Sequence, residues 1–258
     1  MCIRDRDIRD PDFPRAQYRA EITYLDSELA SLLNHPRVAA GHVAFTSDHG
    51  EILNDMGMYF NHSLSVPSTL HVPLILAGPG INKASTDAPV EHLGLGRTLL
   101  DLAGLGRIAF PGKNLLLSVE SPLSSEKPRF SMGSNGDHAA ITQGPWHLML
   151  FLRKHRGFLR EPRIRHQVEL YNFESDPRLD RDLSQKHPEL AFQLRESLVQ
   201  WLGESQSLNL RSEGALNPKA LAELASLGYA HVDAAPSSKP WIDPKCDCHP
   251  CSAWHSMR

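Results

Sequence analysis

Cysteine is missing from the whole interior of this sequence: one stands at position 2, and the other three crowd into "CDCHPC" as Cys246, Cys248 and Cys251. A disulfide framework would spread its cysteines through the fold, so none is expected to brace the body of the chain. No run of about 18 apolar residues occurs, which argues against a membrane-spanning helix. Charge bias is lacking too. A formal net charge of -3 and a pI near 6.5 give no basic surface of the kind that nucleic acid or an anionic membrane selects. Gly-x-x-x-x-Gly-Lys-Ser/Thr, Gly-x-Gly-x-x-Gly behind a strand and Gly-x-Ser-x-Gly are all absent, leaving nucleotide cradles and the serine-hydrolase elbow without support. No apolar stretch follows the lead "MCIRDRDIRDPDF", so a secretory leader is not expected within it. Its alternating Arg and Asp look like read-through at the edge of an assembled fragment, and the expectation is that the gene begins upstream.

What is present is ordinary for a globular chain. The 258 residues, 41% hydrophobic and 22% charged, suffice for one domain or one and a half, with a core that folds without staples. Fourteen histidines favour a metal or phosphate-like site. From Ala16 to Leu33 the residues Tyr18, Ile22, Leu25, Leu29, Leu32 and Leu33 recur at steps of three and four, one face of a helix. "NHPRVAAG" breaks it, and "HVAFTS" follows as a short apolar run, the pattern of a parallel strand covered on both faces. "VPLILAGPG" repeats the theme, and "EHLGLGRTLLDLAGLG" reads as a second helix before a loop at "FPGKNLL". Together these make an α/β unit.

Around Ser121 to Lys127 the composition turns to Ser, Pro and charge, a domain boundary. Beyond it "FSMGSNGDHAAITQG" predicts a hairpin around Asn135-Gly136, extended by "WHLMLFL" and "QVELYNF". "PELAFQLRESLVQWL" supplies a helix whose Leu190, Leu194, Leu198 and Trp201 share a face, giving an antiparallel sheet with a helix across it. "NPKALAELASLGY" is a further helical piece. From about His231 the Pro, Ser and Ala content suggests a disordered tail.

Chemistry concentrates in "HVAFTSDHGEILNDMGMYFNHS", His42 to Ser63. Asp48 and His49 end a strand, where open α/β sheets bind ligands. A carboxylate and an imidazole on adjacent residues can reach one cation if the backbone turns sharply, and Gly50 permits the turn. The plainer alternative is that Asp48 caps the next helix, with Glu51 completing a weak capping arrangement. His62 follows on a loop; it can donate a proton to a departing oxygen, or simply be solvated. "CDCHPC" offers three thiols and His249 to zinc. Ligands one residue apart strain a tetrahedron, however, and no second Cys-x-x-Cys completes the set, so an unstructured end is the expectation.

Taken together, "FTSDHGEILNDMGMYFNHSLSVPSTLHVPLILAGPGI" resembles the C-terminal metal-and-substrate segment of the sulfatases, a branch of the alkaline-phosphatase-like superfamily. "YRAEITYLDSELASLL", "RTLLDLAGL", "FPGKNLL", "ELYNFESDP" and "ALAELASLGY" are similar to family segments in the expected order, over roughly residues 14 to 230. The resemblance implies an α/β fold: the C-terminal part of an alkaline-phosphatase-like mixed sheet with flanking helices, plus a small antiparallel α+β subdomain. Its boundaries would be a lead over 1–13, catalytic-domain sequence over 14–122, the subdomain over 127–203, a closing helical segment over 204–230 and a tail over 231–258.

The activity implied is hydrolysis of a sulfate ester, on a sulfated small molecule or carbohydrate. A formylglycine made within Cys/Ser-x-Pro-x-Arg would be the nucleophile, beside a divalent cation, most often Ca2+, with Mg2+, Mn2+ or Zn2+ as alternatives. Asp48 and His49 match the second pair of metal ligands, and His62 a histidine on the sulfate or leaving oxygen. Family habit favours the periplasm or another extracytoplasmic space. Departures are plain as well. The sequence contains no Cys/Ser-x-Pro-x-Arg, the family's N-terminal aspartate pair and its Lys and Arg sulfate contacts are missing, and Asn61 stands where many members carry Gly or Lys. The expectation is the C-terminal portion of a longer sulfatase, inert alone and with apolar surface exposed at its sheet edge. The alternatives are a metal-dependent phosphomonoesterase or phosphodiesterase of the same superfamily, and a non-catalytic anion-binding remnant.

Overall fold

A computed structural model describes residues 10, 12–120, 127–133, 136–154, 162–207, 246, 248–255 and 257. The helical piece expected over 217–229 and the tail from 231 to 245 lie outside the described residues. In chain order the elements are α1 (Asp12–Leu33), α2 (Pro36–Ala39), β1 (Val43–Thr46), α3 (Pro67–Leu70), β2 (Leu74–Ala77), α4 (His92–Leu102) and α5 (Leu115–Glu120). They are followed by β3 (Arg129–Met132), β4 (His138–Gln143), β5 (Trp146–Phe151), β6 (Val168–Asn172), α6 (Pro188–Ser207) and α7 (His249–His255). No described helix is long and apolar enough to cross a membrane.

The second half holds the densest packing. Strands β3-β4-β5-β6 form a four-stranded antiparallel sheet in sequence order. Its first hairpin turns at Gly133 to Asp137, where Gly136 adopts a left-handed φ of 61° that a side chain would resist. Asn135, the other half of the expected turn, lies outside the described residues. Side chains alternate across the sheet as the pleat requires. Ala139, Ile141, Leu148, Leu150 and Leu170 face Ala191, Leu194, Leu198 and Leu202 of α6. Each Leu buried there contributes about 1.5–3 kcal/mol of transfer free energy. Ala140, Met149, Phe151 and Tyr171 point the other way, onto Ile52, Met56, Met58, Leu64 and Val66. The loop between β1 and α3 is therefore the second cover of this sheet, and that explains why "LMLF", Leu148 to Phe151, is apolar throughout rather than alternating.

The first half is more open. Strands β1 and β2 pair antiparallel, from Val43 opposite Ala77 to Thr46 opposite Leu74. This corrects the expectation of a parallel strand buried on both faces: Ile75 is 59% exposed and Ala44 also faces solvent. A short apolar run has the same pattern in either arrangement, so its sequence could not decide between them. On α1 the expected face forms, but Ile22, Leu25, Leu32 and Leu33 are exposed. Among the described residues the stripe is covered only in part: Leu29 is half-buried, and Tyr18 and Ile22 share a cleft with Leu53 and Asn54. One further difference is α7, a regular helix inside the stretch whose composition suggests a disordered tail.

Candidate metal and leaving-group site

Strand β1 ends at Thr46, and the next three residues turn sharply. The Ser47 hydroxyl donates to the His49 carbonyl at 2.7 Å, and the His49 amide donates to Asp48 Oδ1 at 2.9 Å. That amide first, and then the neighbouring imidazole whenever it is protonated, hold the Asp48 carboxyl below its usual range. Asp48 is thus ionised at neutral pH. The same contacts leave Oδ2 3.8 Å from His49 Nε2. His49 Nδ1 lies 2.8 Å from the Gly50 carbonyl. A carbonyl only accepts, so Nδ1 carries the proton and Nε2 presents its lone pair beside the carboxylate.

Gly50 has a different role from the one its sequence suggests. Its φ is not left-handed; instead its amide donates to the Thr69 carbonyl at 2.8 Å, and a Cβ there would sit 2.1 Å from the Ser68 carbonyl oxygen. Close approach to α3, rather than turn dihedrals, demands glycine. The capping alternative for Asp48 fails as well, since no helix begins after it and its side chain is spent on the His49 amide.

His62 is brought alongside by the loop. Ile52 and Asn61 form an antiparallel bridge, with the Ile52 amide 2.7 Å from the Asn61 carbonyl. Met56, Gly57 and Phe60 take positive φ to close the loop between them. The imidazoles of His49 and His62 stack with centroids 4.4 Å apart. His62 Nδ1 meets Glu51 Oε2 at 3.4 Å, leaving Nε2 outward. Glu51 is the residue that sequence reasoning placed in a cap and missed as an orienting group; its spacing from His62 carries no periodic signal. Its other oxygen, Oε1, is buried and has no hydrogen-bond partner among the described residues. Asn61 is turned away from the ring, its Oδ1 accepting from the Ser63 amide at 2.7 Å.

The loop is held from below. The Ser65 amide donates to His138 Nε2 at 2.9 Å, and His138 Nδ1 meets Asp137 Oδ1 at 2.7 Å, all three in or near the buried sheet. Ser68 also donates to Asp55, whose carboxyl is pushed up by burial. The antiparallel subdomain therefore fixes the segment that carries His62.

Asp48 Oδ2 and His49 Nε2 can share a divalent cation, but the two side chains are 79% and 44% exposed. One carboxylate and one imidazole fit as part of a coordination shell; Ca2+ takes about 6–8 oxygen ligands, so the remainder must come from other groups. The Cys-rich end lies elsewhere: Cys246, Cys248 and Cys251 gather around His166, while His249 stays exposed.

Comparison with known proteins shows what the chain is similar to. Residues 7–105 match the sulfatase family. Over that stretch the chain is similar to the sulfatases. A choline-sulfatase of Rhizobium meliloti (strain 1021) is 32% identical over 143 residues, which cover 51% of this chain and 28% of that protein. A sulfatase of Formosa agariphila is 38% identical over 134 residues, covering 49% of this chain and 26% of that protein. The chain thus spans between a quarter and a third of the length of these curated relatives. A solved structure described as in complex with its substrate, D-glucosamine-2-N,6-O-disulfate, superposes with a TM-score of 0.55 at 17% identity, covering 75% of this chain and 41% of that one. At that identity the likeness speaks for the fold alone, a mixed α/β architecture with antiparallel sheets.

Proposed function

We propose that these residues supply the second part of a sulfatase active site, with the nucleophile contributed by sequence outside the 258 residues. The observation that carries this reading is the convergence of Asp48 Oδ2, His49 Nε2 and the His62 ring at one strand end, each with its orientation set by a local hydrogen bond. Asp48 and His49 would hold one side of a Ca2+ ion, which when bound neutralises the sulfate oxygens. Asp48 brings a fixed negative charge, and the Gly50 carbonyl keeps the His49 proton on Nδ1. His62 would give a proton from Nε2 to the departing oxygen, with Glu51 holding the ring in place. The substrate class is a sulfate ester of a small molecule or carbohydrate.

The test is to express the gene-length protein and compare hydrolysis of an aryl sulfate with that of the matching aryl phosphate. Turnover of the sulfate, abolished by a calcium chelator and restored by added Ca2+, supports the reading. Preferential turnover of the phosphate would replace it with a phosphoesterase of the same superfamily.

A further inference from the structure

The second cluster owes nothing to the first. His166 lies just before β6, fully buried, with its amide donating to the Phe151 carbonyl and its φ at 65°, an uncommon conformation for a residue with a Cβ. Its Nδ1 is 3.3 Å from Cys248 Sγ, 3.5 Å from Cys246 Sγ and 3.1 Å from Cys251 Sγ. All four donor atoms lie within 4.8 Å of one another. Metal bonds of about 2.3 Å to sulfur and 2.0–2.1 Å to nitrogen, opened to tetrahedral angles, separate N from S by roughly 3.5 Å and S from S by roughly 3.8 Å. The observed N to S distances, 3.1 to 3.5 Å, run up to the first of these.

We propose that His166, Cys246, Cys248 and Cys251 form a structural zinc site that fastens the C-terminal segment to the antiparallel subdomain. Three thiolates and a neutral imidazole select zinc over calcium or magnesium, which prefer oxygen. With no position left for water, the shell is closed, as a structural rather than catalytic site requires. Three thiolates and Zn2+ leave one net negative charge, and the chain provides a cation for it. The guanidinium of Arg195, only 3% exposed, reaches 3.9 Å from Cys251 Sγ while its other arm pairs with Glu196. The same guanidinium lies 5.8 Å from the ring centre of Trp254, which stacks on Phe192 of α6. Helix α7 is therefore seated on α6 by an aromatic contact at one end and would be clamped by metal at the other.

The strained pair of thiols one residue apart is accommodated because Cys246 precedes the helix while Cys248 and Cys251 form the Cys-x-x-Cys at its start. The fourth ligand is 82 residues from Cys248. No spacing rule could have found it.

This inference stands independently of the sulfatase reading and is tested on the 258-residue chain itself. Purified anaerobically without chelator and loaded with zinc, the chain is expected to retain one Zn2+ after desalting. Loaded with Co2+ instead, it should give thiolate-to-cobalt charge-transfer absorption and tetrahedral d–d bands that zinc abolishes, a signature the Asp48 and His49 pair cannot produce. Cys251→Ser and His166→Gln should each weaken zinc by well over about tenfold, since loss of mere outer partners already costs about 10–100-fold, whereas Cys2→Ser should leave it unchanged. Should the variants fail to fold, the cobalt spectrum of the unaltered chain decides alone. A chain that keeps no zinc, cobalt absorption without charge transfer, zinc content indifferent to Cys251→Ser, or a disulfide between two of the three thiols would each overturn the proposal.

Discussion

Glu51 and His62 illustrate how one side chain can set the chemistry of another. The carboxylate accepts from Nδ1, so the nitrogen left for other partners is Nε2, the one that would reach a leaving group in the proposed reaction. In the gene-length protein His62→Ala is expected to lower kcat on an aryl sulfate by about 10²–10⁴-fold. Glu51→Gln removes only the orienting charge and should cost less, with KM almost unchanged. Steady-state kinetics of both variants checks this, and equal losses would assign Glu51 a direct part in the reaction. That Asp48, His49 and His62 lie close together was legible in the sequence because they sit in a compact motif. Glu51 and His166 were not, because their partners are found only once the loop and the sheet have folded.

Elements were legible where one periodicity dominated. Helices α1, α4 and α6 and the strands of the antiparallel sheet lie where the pattern predicts them. The pairing of β1 with β2 and the burial of both faces of the four-stranded sheet were hidden, since neither is a property of a single segment. That double burial has a pH consequence. His147, on β5, is fully buried, with Nδ1 2.8 Å from the Thr142 hydroxyl. Desolvation pulls its pKa down from 6.5 to about 4. The unfolded chain therefore takes up a proton between these values while the folded one does not. The stabilisation is complete above pH 6.5 and is lost as pH falls toward 4, on the order of 3 kcal/mol in all. His147→Phe should remove that component: in denaturant unfolding across this window the stability of the unaltered chain should fall with pH by about that amount more than the variant's. Parallel curves would show that His147 does not carry the effect.

At the scale of the whole molecule the halves differ in how well they cover themselves. The antiparallel subdomain buries both sheet faces, whereas α1 leaves Ile22 at 54% and Leu25 at 50% exposure. An exposed apolar stripe promotes association. Replacing both residues by Glu should raise the concentration at which the 258-residue chain stays monomeric in sedimentation, without lowering its Tm. In the gene-length protein the same pair should lower Tm, because there the stripe is expected to be covered; a gain in both contexts would mean that it faces solvent throughout. The fold class was readable from the order of motifs. The zinc clamp was not, as it joins residues on either side of α6. The most direct test of the central reading is to sequence the genomic DNA upstream of the codon for Pro11. An in-frame Asp-Asp and Cys/Ser-x-Pro-x-Arg is expected, and would supply the nucleophile and the other half of the metal site to Asp48, His49 and His62. A stop codon followed by a genuine start at Met1 would contradict it, leaving a metal pair with no nucleophile to serve.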